Sequence, residues 1–216
     1  HIHGLIGILA ASMKVGASVC ASNGFNAIKF LELAKSEKIT WYSGVPTMHQ
    51  AILLRAEKNL KLSKDLKLKF IRSSSASLPP AVFENLKSVF KCPVIEAYGM
   101  TEATHQMTSN PLPPKVQKPG FVGISAGPDV CIMNDSNKIL NQGETGEICI
   151  KGNNVTLGYD NNPEANKKSF SNGWFRTGDQ GYFDQDGYLK ISGRLKEIIN
   201  KGGEKISPLE VDNILM

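Results

Sequence analysis

Glu96-Ala97-Tyr98-Gly99-Met100-Thr101-Glu102-Ala103-Thr104-His105 is the stretch on which the fold reading turns. It follows Pro93-Val94-Ile95, an apolar run that reads as the end of a buried strand, so the stretch is expected on a turn at that strand's carboxyl edge. Open α/β sheets hold their ligands there. Between Tyr98 and Glu102 the chain offers an aromatic face, a glycine that permits close backbone approach, a hydroxyl and a carboxylate. An aromatic face suits a purine, a hydroxyl suits a phosphate oxygen, and a carboxylate suits a hard cation such as Mg²⁺.

Upstream, helical and strand signals alternate as in a doubly wound α/β lobe. Residues Gly4 to Met13 read as an apolar, small-residue helix, Ser18-Val19-Cys20 as a short strand, and Asn26 to Lys38 as a helix. Thr40 to Ser43 reads as a strand stopped by Pro46, with Thr47 placed to cap a helix from Met48 to Lys58. A strand from Lys69 to Arg72 runs into Ser73-Ser74-Ser75-Ala76-Ser77-Leu78-Pro79-Pro80, where the serines suit a helix cap and Pro80 suits the first turn of a helix from Ala81 to Val89. His1 and His3 form a His-x-His pair, but no third ligand follows at a metal-binding spacing. His49 stands at a helix start with no evident partner.

Downstream of the stiff loop Pro111-Leu112-Pro113-Pro114 the signal changes to short strands. Asp129 to Met133 and Glu147 to Lys151 are separated by turn residues, and a small distorted β-barrel fits Gly120 to Gly193. Asp184-Gln185-Asp186-Gly187 lacks the later acidic ligands of a calcium loop and reads as a hairpin turn between Gly181-Tyr182-Phe183 and Tyr188-Leu189-Lys190-Ile191.

Composition narrows the function classes. A chain of 216 residues that is 41% hydrophobic can bury a sizeable core, and its ordinary composition argues against disorder or a repeat array. The net charge of +5 is spread without a block of like charges, which suits anionic ligands and argues against a nucleic-acid role. Cys20, Cys92, Cys131 and Cys149 lack the spacing of a zinc knuckle or redox dithiol and read as buried, reduced thiols of an intracellular protein. No apolar run reaches membrane-spanning length, so no membrane partner is expected; cytoplasm and peroxisome stay undecided. The chain begins in mid-pattern and stops inside an amphipathic helix, as expected of an internal piece of a longer protein.

Tyr98-Gly99-Met100-Thr101-Glu102 resembles the signature of the adenylate-forming enzymes: acyl-CoA synthetases, luciferases and peptide-synthetase adenylation domains. Two later stretches carry the same resemblance, Gly173-Trp174-Phe175-Arg176-Thr177-Gly178-Asp179 and the run from Gly193-Arg194-Leu195-Lys196-Glu197 through Gly202-Gly203 to Pro208. The resemblance covers nearly the whole chain and is strongest to the oxalate:CoA ligase group.

It implies an α/β class with an acyl-CoA synthetase-like fold: a second α/β lobe over residues 1–124, a β-barrel subdomain over 125–193, and a hinge with the start of a mobile C-terminal domain over 194–216. It also implies ATP, Mg²⁺ and coenzyme A as ligands and a small carboxylic acid as substrate. By resemblance, Ser75 and Ala76 belong to a wall of the adenine and acyl pockets, and Glu96 and Ala97 to the nucleotide site. Tyr98 stacks on adenine, Thr101 bonds a phosphate oxygen, Glu102 holds Mg²⁺, Asp179 accepts the ribose hydroxyls, and Arg194 reaches ribose or phosphate. Lys196 is the hinge of the small domain, and Gly202 and Gly203 line the pantetheine channel. Thr101, Glu102 and Lys196 are thus the candidate catalytic residues.

The family usually carries Ser-Gly-Ala-Ala-Pro where this chain has Ser73-Ser74-Ser75-Ala76-Ser77, which makes that wall more polar. Thr104-His105 after Glu102-Ala103, with His1 placed beside the acyl pocket, adds further donors. Ser75, His105 and His1 are therefore expected to hold the remote carboxylate of a very small dicarboxylate, oxalate, because a buried carboxylate is costly unless several donors meet it. A 4-coumarate-like or fatty acyl-CoA ligase, or a non-catalytic nucleotide-binding module, is the alternative. The family's phosphate-cradling loop is expected before His1 and its adenylation lysine beyond Met216, so the piece alone is expected to be inactive.

Overall fold

Three short parallel strands, β1 (Trp41–Gly44), β2 (Phe70–Ser73) and β3 (Val94–Met100), lie side by side in the computed structural model, which describes residues 1–201, 204–209 and 211. The sheet continues antiparallel through β4 (His105–Ser109) and β5 (Ile124–Ser125), in the order β1-β2-β3-β4-β5. A helical run over residues 2–14, α1, is wound as a π-helix from Leu5–Ala10. The helices α2 (Phe30–Ser36), α3 (Pro46–Ala56), α4 (Leu60–Asp65) and α5 (Pro80–Phe90) follow. Proline occupies the first turn of α3 and α5, where its missing N–H has no helical partner to lose, and α5 ends on a left-handed Lys91. Ile52 of α3, Ile71 of β2, Leu78, Phe83 and Leu86 of α5, and Val94 of β3 close the first core.

The second sheet is a curled half-barrel of β6 (Asp129–Met133), β7 (Gly146–Lys151), β8 (Phe170–Ser171), β9 (Trp174–Phe183) and β10 (Leu189–Arg194). Its strands run in the order β10-β9-β7-β6, with β8 on β9. The second core joins the two sheets: Tyr98, Ala103 and Met107 from the β3–β4 region pack with Ile132, Ile148, Ile150, Phe175 and Leu189. Backbone hydrogen bonds from Val122 to Leu189 and from Leu189 to Gly123 stitch the same seam. A final hairpin, β11 (Ile199–Lys201) and β12 (Glu204–Ile206), follows β10.

Several local expectations give way to tertiary context. Ser18 to Cys20 forms no strand and Cys20 is exposed, whereas Cys92, Cys131 and Cys149 are buried free thiols. The second helix is shorter than expected, with regular helix only from Phe30–Ser36. Thr47 does not cap α3, because Pro46 already stands in its first turn and Val45 takes the cap position without a side-chain bond. Strand β3 runs through Met100, so the expected turn starts only at Thr101, the strand being prolonged by its antiparallel pairing with β4. A helix, α6 (Pro163–Ser169), interrupts the strand-only region; Asn162 caps it by accepting from the Ala165 N–H. The Asp184–Gly187 hairpin turn is as expected, with Asp184 accepting from the N–H groups of Asp186 and Tyr188. His49, without an evident partner in sequence, is buried and bonds the Tyr42 hydroxyl at 3.3 Å.

Candidate active site

The site is built where β3 leaves the parallel sheet and turns back as β4. A Cβ at Gly99 would stand 1.5 Å from the His105 carbonyl oxygen, so only glycine lets the return strand come this close. This fixes Tyr98 and Thr101 on either side of the crossing. The Tyr98 ring joins the second core while its hydroxyl donates to Asp179 Oδ2 at 2.5 Å. Asp179 on β9 is the cross-strand partner of Arg194 on β10, and Arg194 Nε lies 3.3 Å from Asp179 Oδ1. Burial raises the Asp179 pKa, against the opposing effects of Tyr98 and Arg194, and burial with Asp179 raises the Tyr98 pKa well above its ordinary value.

Two adjoining cavities meet here. The first, of about 410 Å³, is lined by Ser75, Ala76, Glu96, Ala97, Tyr98, Asp179 and Arg194 among others. Glu96 accepts from Gly120 N at 2.9 Å and Leu78 N at 3.4 Å, and burial pushes its pKa up to about 7 against those two bonds. The second cavity, of about 640 Å³, brings together His1, Ser75, Thr101, Glu102, Tyr159, Asp179, Arg194 and Lys196. Glu102 Oε1 accepts from the Tyr159 hydroxyl at 2.8 Å, and the Glu102 carbonyl accepts from Thr156 N at 2.7 Å. One carboxylate facing a cavity fits Mg²⁺, which is held by one or two carboxylates together with substrate phosphates. Among the described residues there is no cluster of three or more His, Cys, Asp or Glu able to hold a metal without such help. Glu147, paired with Arg176, also accepts from Gly178 N at 2.9 Å and so pins the turn that presents Asp179.

Ser75 opens onto both cavities with φ of 74°, a left-handed conformation that costs a serine strain. Its hydroxyl lies 3.0 Å from His3 Nδ1. Behind it is a buried polar cluster: His3 Nε2 lies 2.7 Å from Ser43 Oγ, and the His3 and His105 rings are 5.3 Å apart between centroids. Arg72, only 5% exposed, donates to Ser43 Oγ at 3.3 Å, His105 Nδ1 at 3.5 Å and Gln106 Oε1 at 3.1 Å. Burial and the Arg72 charge lower both histidines to a pKa of about 4.

Every expected site residue among the described ones borders a cavity except His105. At 3% exposure it sits one layer back, its ring face covered by Gly7 of the π-helical segment, where a Cβ would meet the imidazole at 3.1 Å. His1 is exposed, lines the second cavity and accepts from His3 N at 3.2 Å. Gly202 and Gly203 lie outside the described residues. Sequence reading missed Tyr159, Ser43 and Arg72, and gave His3 no role in the site. An arginine inside the apolar strand Phe70-Ile71-Arg72-Ser73 was the available signal, since a parallel strand is covered on both faces.

Residues 1–160 match the profile of the AMP-binding enzymes. The chain is 52% identical over its whole length to an oxalate–CoA ligase of Arabidopsis thaliana and 48% identical to that of Saccharomyces cerevisiae; it spans 42% and 39% of those proteins. In structure it resembles O-succinylbenzoate coenzyme A synthetase of Bacillus subtilis in complex with ATP and magnesium ion, with a TM-score of 0.87 and 31% identity, covering all of this chain and 44% of that one. No described helix is long and apolar enough to cross a membrane. The profile match spans both the Tyr98–Glu102 crossing and the Ser75 loop that face the cavities, and on that ground the chain belongs to the AMP-binding enzyme family.

Proposed function

We propose that this chain is the nucleotide- and acid-binding part of an AMP-forming acid–CoA ligase, and that its acid is oxalate. The observation that carries the substrate reading is Ser75, which lines both cavities and whose hydroxyl is bonded to His3, with His105 and the buried Arg72 guanidinium behind it. An acid with a second carboxylate satisfies such a donor. A greasy acid leaves the Ser75 hydroxyl without that partner, at roughly 1 to 3 kcal/mol.

The reaction runs in two steps. A carboxylate oxygen attacks the α-phosphorus of ATP, forming the acyl–oxygen–phosphorus bond and breaking the bond to pyrophosphate. The coenzyme A thiol then loses its proton and attacks the acyl carbon, and AMP departs. The first step depends on in-line placement and charge neutralisation more than on a base. Tyr98 offers its ring to adenine while Asp179 keeps its hydroxyl engaged and accepts from ribose. Thr101 bonds a phosphate oxygen, and Glu102, steadied by Tyr159, would hold Mg²⁺. When bound, that ion supplies neutralisation of the phosphate charge. Arg194 shares Asp179 and reaches the same end of the nucleotide, while Glu96 and Ala97 wall the adenine side beside Ala76.

Residues 1–124, 125–193 and 194–216 form the α/β lobe, the β-barrel subdomain, and the hinge with the start of the mobile domain. Lys196 is the pivot between the adenylating and thioester-forming poses. His1 and Ser75 contact the remote carboxylate, and His105 acts on it from the layer behind.

Pyrophosphate release by the complete enzyme with oxalate, acetate, hexanoate and 4-coumarate tests this reading. Oxalate is expected to give the highest kcat/KM. Replacing His105 by alanine is expected to raise the oxalate KM strongly while leaving ATP affinity nearly unchanged. Better turnover of hexanoate than of oxalate refutes the substrate assignment.

A further inference from the structure

Arg72 bonds three neutral side chains, from β1 and β4, and among the described residues it pairs with no carboxylate. A buried cation without a counter-charge is unfavourable in the resting protein, and this one borders neither cavity. Its chemistry nevertheless sets the direction of the bonds it makes. A guanidinium can only donate, so the Nδ1 of His105 is an acceptor and neutral His105 carries its proton on Nε2. Ser43 Oγ also accepts from Arg72, and its own proton is in reach of His3 Nε2 at 2.7 Å; in the tautomer that takes this proton the relay runs outward. His3 then holds its proton on Nδ1 and donates it to Ser75 Oγ at 3.0 Å. The Ser75 proton is left to point into the cavities that this residue lines.

We propose that Arg72 is a specificity-determining positioning residue: through Ser43 and His3 it orients the Ser75 hydroxyl as a donor, so that the acyl end of the site presents an O–H group backed, through that relay, by a fixed positive charge. This rests on the dicarboxylate reading above. A substrate whose remote end is a carboxylate accepts the Ser75 bond and brings a negative charge toward the buried guanidinium. A substrate ending in a methyl group does neither. Burial together with the Arg72 charge keeps His3 and His105 neutral, each with a pKa of about 4, so each ring keeps one donor and one acceptor near neutral pH. The left-handed strain at Ser75 is consistent with a backbone held to aim this hydroxyl.

The test uses the complete enzyme and follows KM and kcat for oxalate, acetate and ATP in pyrophosphate release. Arg72→Met keeps volume but removes every donor, Arg72→Lys keeps charge and donors, and Ser43→Ala cuts only the arm that reaches Ser75. R72M is expected to raise the oxalate KM by about tenfold or more, the loss that goes with one charge-assisted hydrogen bond, with the acetate and ATP KM values within about threefold. R72K is expected to recover most of that loss, and S43A to raise the oxalate KM by about three- to tenfold. A packing role would leave R72M like the parent. If the parent enzyme favours oxalate and R72M shifts the oxalate and acetate KM values in parallel, the Arg72 proposal is overturned while the substrate reading stands. If the parent favours hexanoate, the substrate reading falls and takes this proposal with it. Where R72M has lost ATP binding through damage to the fold, S43A decides, and an unchanged oxalate KM there overturns the proposal.

Discussion

Glu96 lies at the wall of the first cavity with its carboxylate receiving two backbone N–H groups, from the loop before α5 and from the turn at Gly120. Burial outweighs both bonds and raises its pKa from 4.5 to about 7. The folded state therefore keeps the proton after the unfolded state has lost it, and stability falls as pH rises from about 4.5 to 7, by about 3 kcal/mol for this group alone. Glu96→Gln is expected to remove that slope, measured by denaturant unfolding across the same window; an equally steep fall in the variant would assign the slope elsewhere. Tyr159 acts on the neighbouring cavity. Its hydroxyl occupies one oxygen of Glu102, so Tyr159→Phe is expected to raise the Mg²⁺ concentration needed for half-maximal adenylation several-fold with little change in stability, read by magnesium titration of pyrophosphate release. That Tyr98, Thr101, Glu102 and Asp179 would share one cleft was legible in the sequence, because each stands in a contiguous motif; all four line the two adjoining cavities. Arg72, Ser43 and His3 were not, because their arrangement exists only after β1, β2 and α1 come together.

Elements show the same division between local and tertiary causes. The proline-led helices α3 and α5 and the Asp184 hairpin are local: their residues dictate the start or the turn whatever lies around them. The extension of β3 to Met100 is tertiary, since His105 and Gln106 of β4 pair with Met100 and Gly99 and complete the ladder. Helix α6 carried a readable signal in Asn162-Pro163-Glu164, a cap followed by a first-turn proline and an acid, which the strand-rich surroundings obscured. The junction after β10 is the element on which the two-pose reading depends. Leu195 N donates to the Gly178 carbonyl at 2.9 Å and Glu197 N to the Arg194 carbonyl at 3.0 Å, so the bonds on either side of Lys196 belong to its neighbours. Proline at 196 would fix φ and leave both bonds intact. Lys196→Pro in the complete enzyme is expected to impair one half-reaction at least about tenfold more than the other, if one pose is excluded. Adenylate formation and coenzyme A transfer from preformed adenylate, timed separately, make the check; equal loss in both would indicate general misfolding.

At the scale of the whole molecule, the two sheets share one of the two main cores. The sequence reading drew the border between an α/β lobe and a β-barrel at residue 124; the first sheet ends with β5 at Ser125 and the second begins with β6 at Asp129. The pattern of apolar residues could not show that Tyr98, Ala103 and Met107 turn away from the first core and pack under Ile148, Ile150 and Phe175 of the half-barrel. This packing has a mechanical consequence for the site. Tyr98 and Asp179, which come from different sheets, are held at hydrogen-bond distance by the shared core, so the end of the cavity proposed for the nucleotide stays intact only if both sheets fold together. Met107 is fully buried at that seam and carries no polar duty. Met107→Ala should cost about 2 to 5 kcal/mol through lost burial and a residual cavity. Because the core is common, the loss should appear as an earlier single transition, with tryptophan fluorescence reporting Trp41 of the first sheet and Trp174 of the second and far-ultraviolet circular dichroism moving in step. Two separated transitions, with only the half-barrel shifted by the substitution, would show that the sheets fold independently and would remove the shared core as the reason why Tyr98 and Asp179 stay in register.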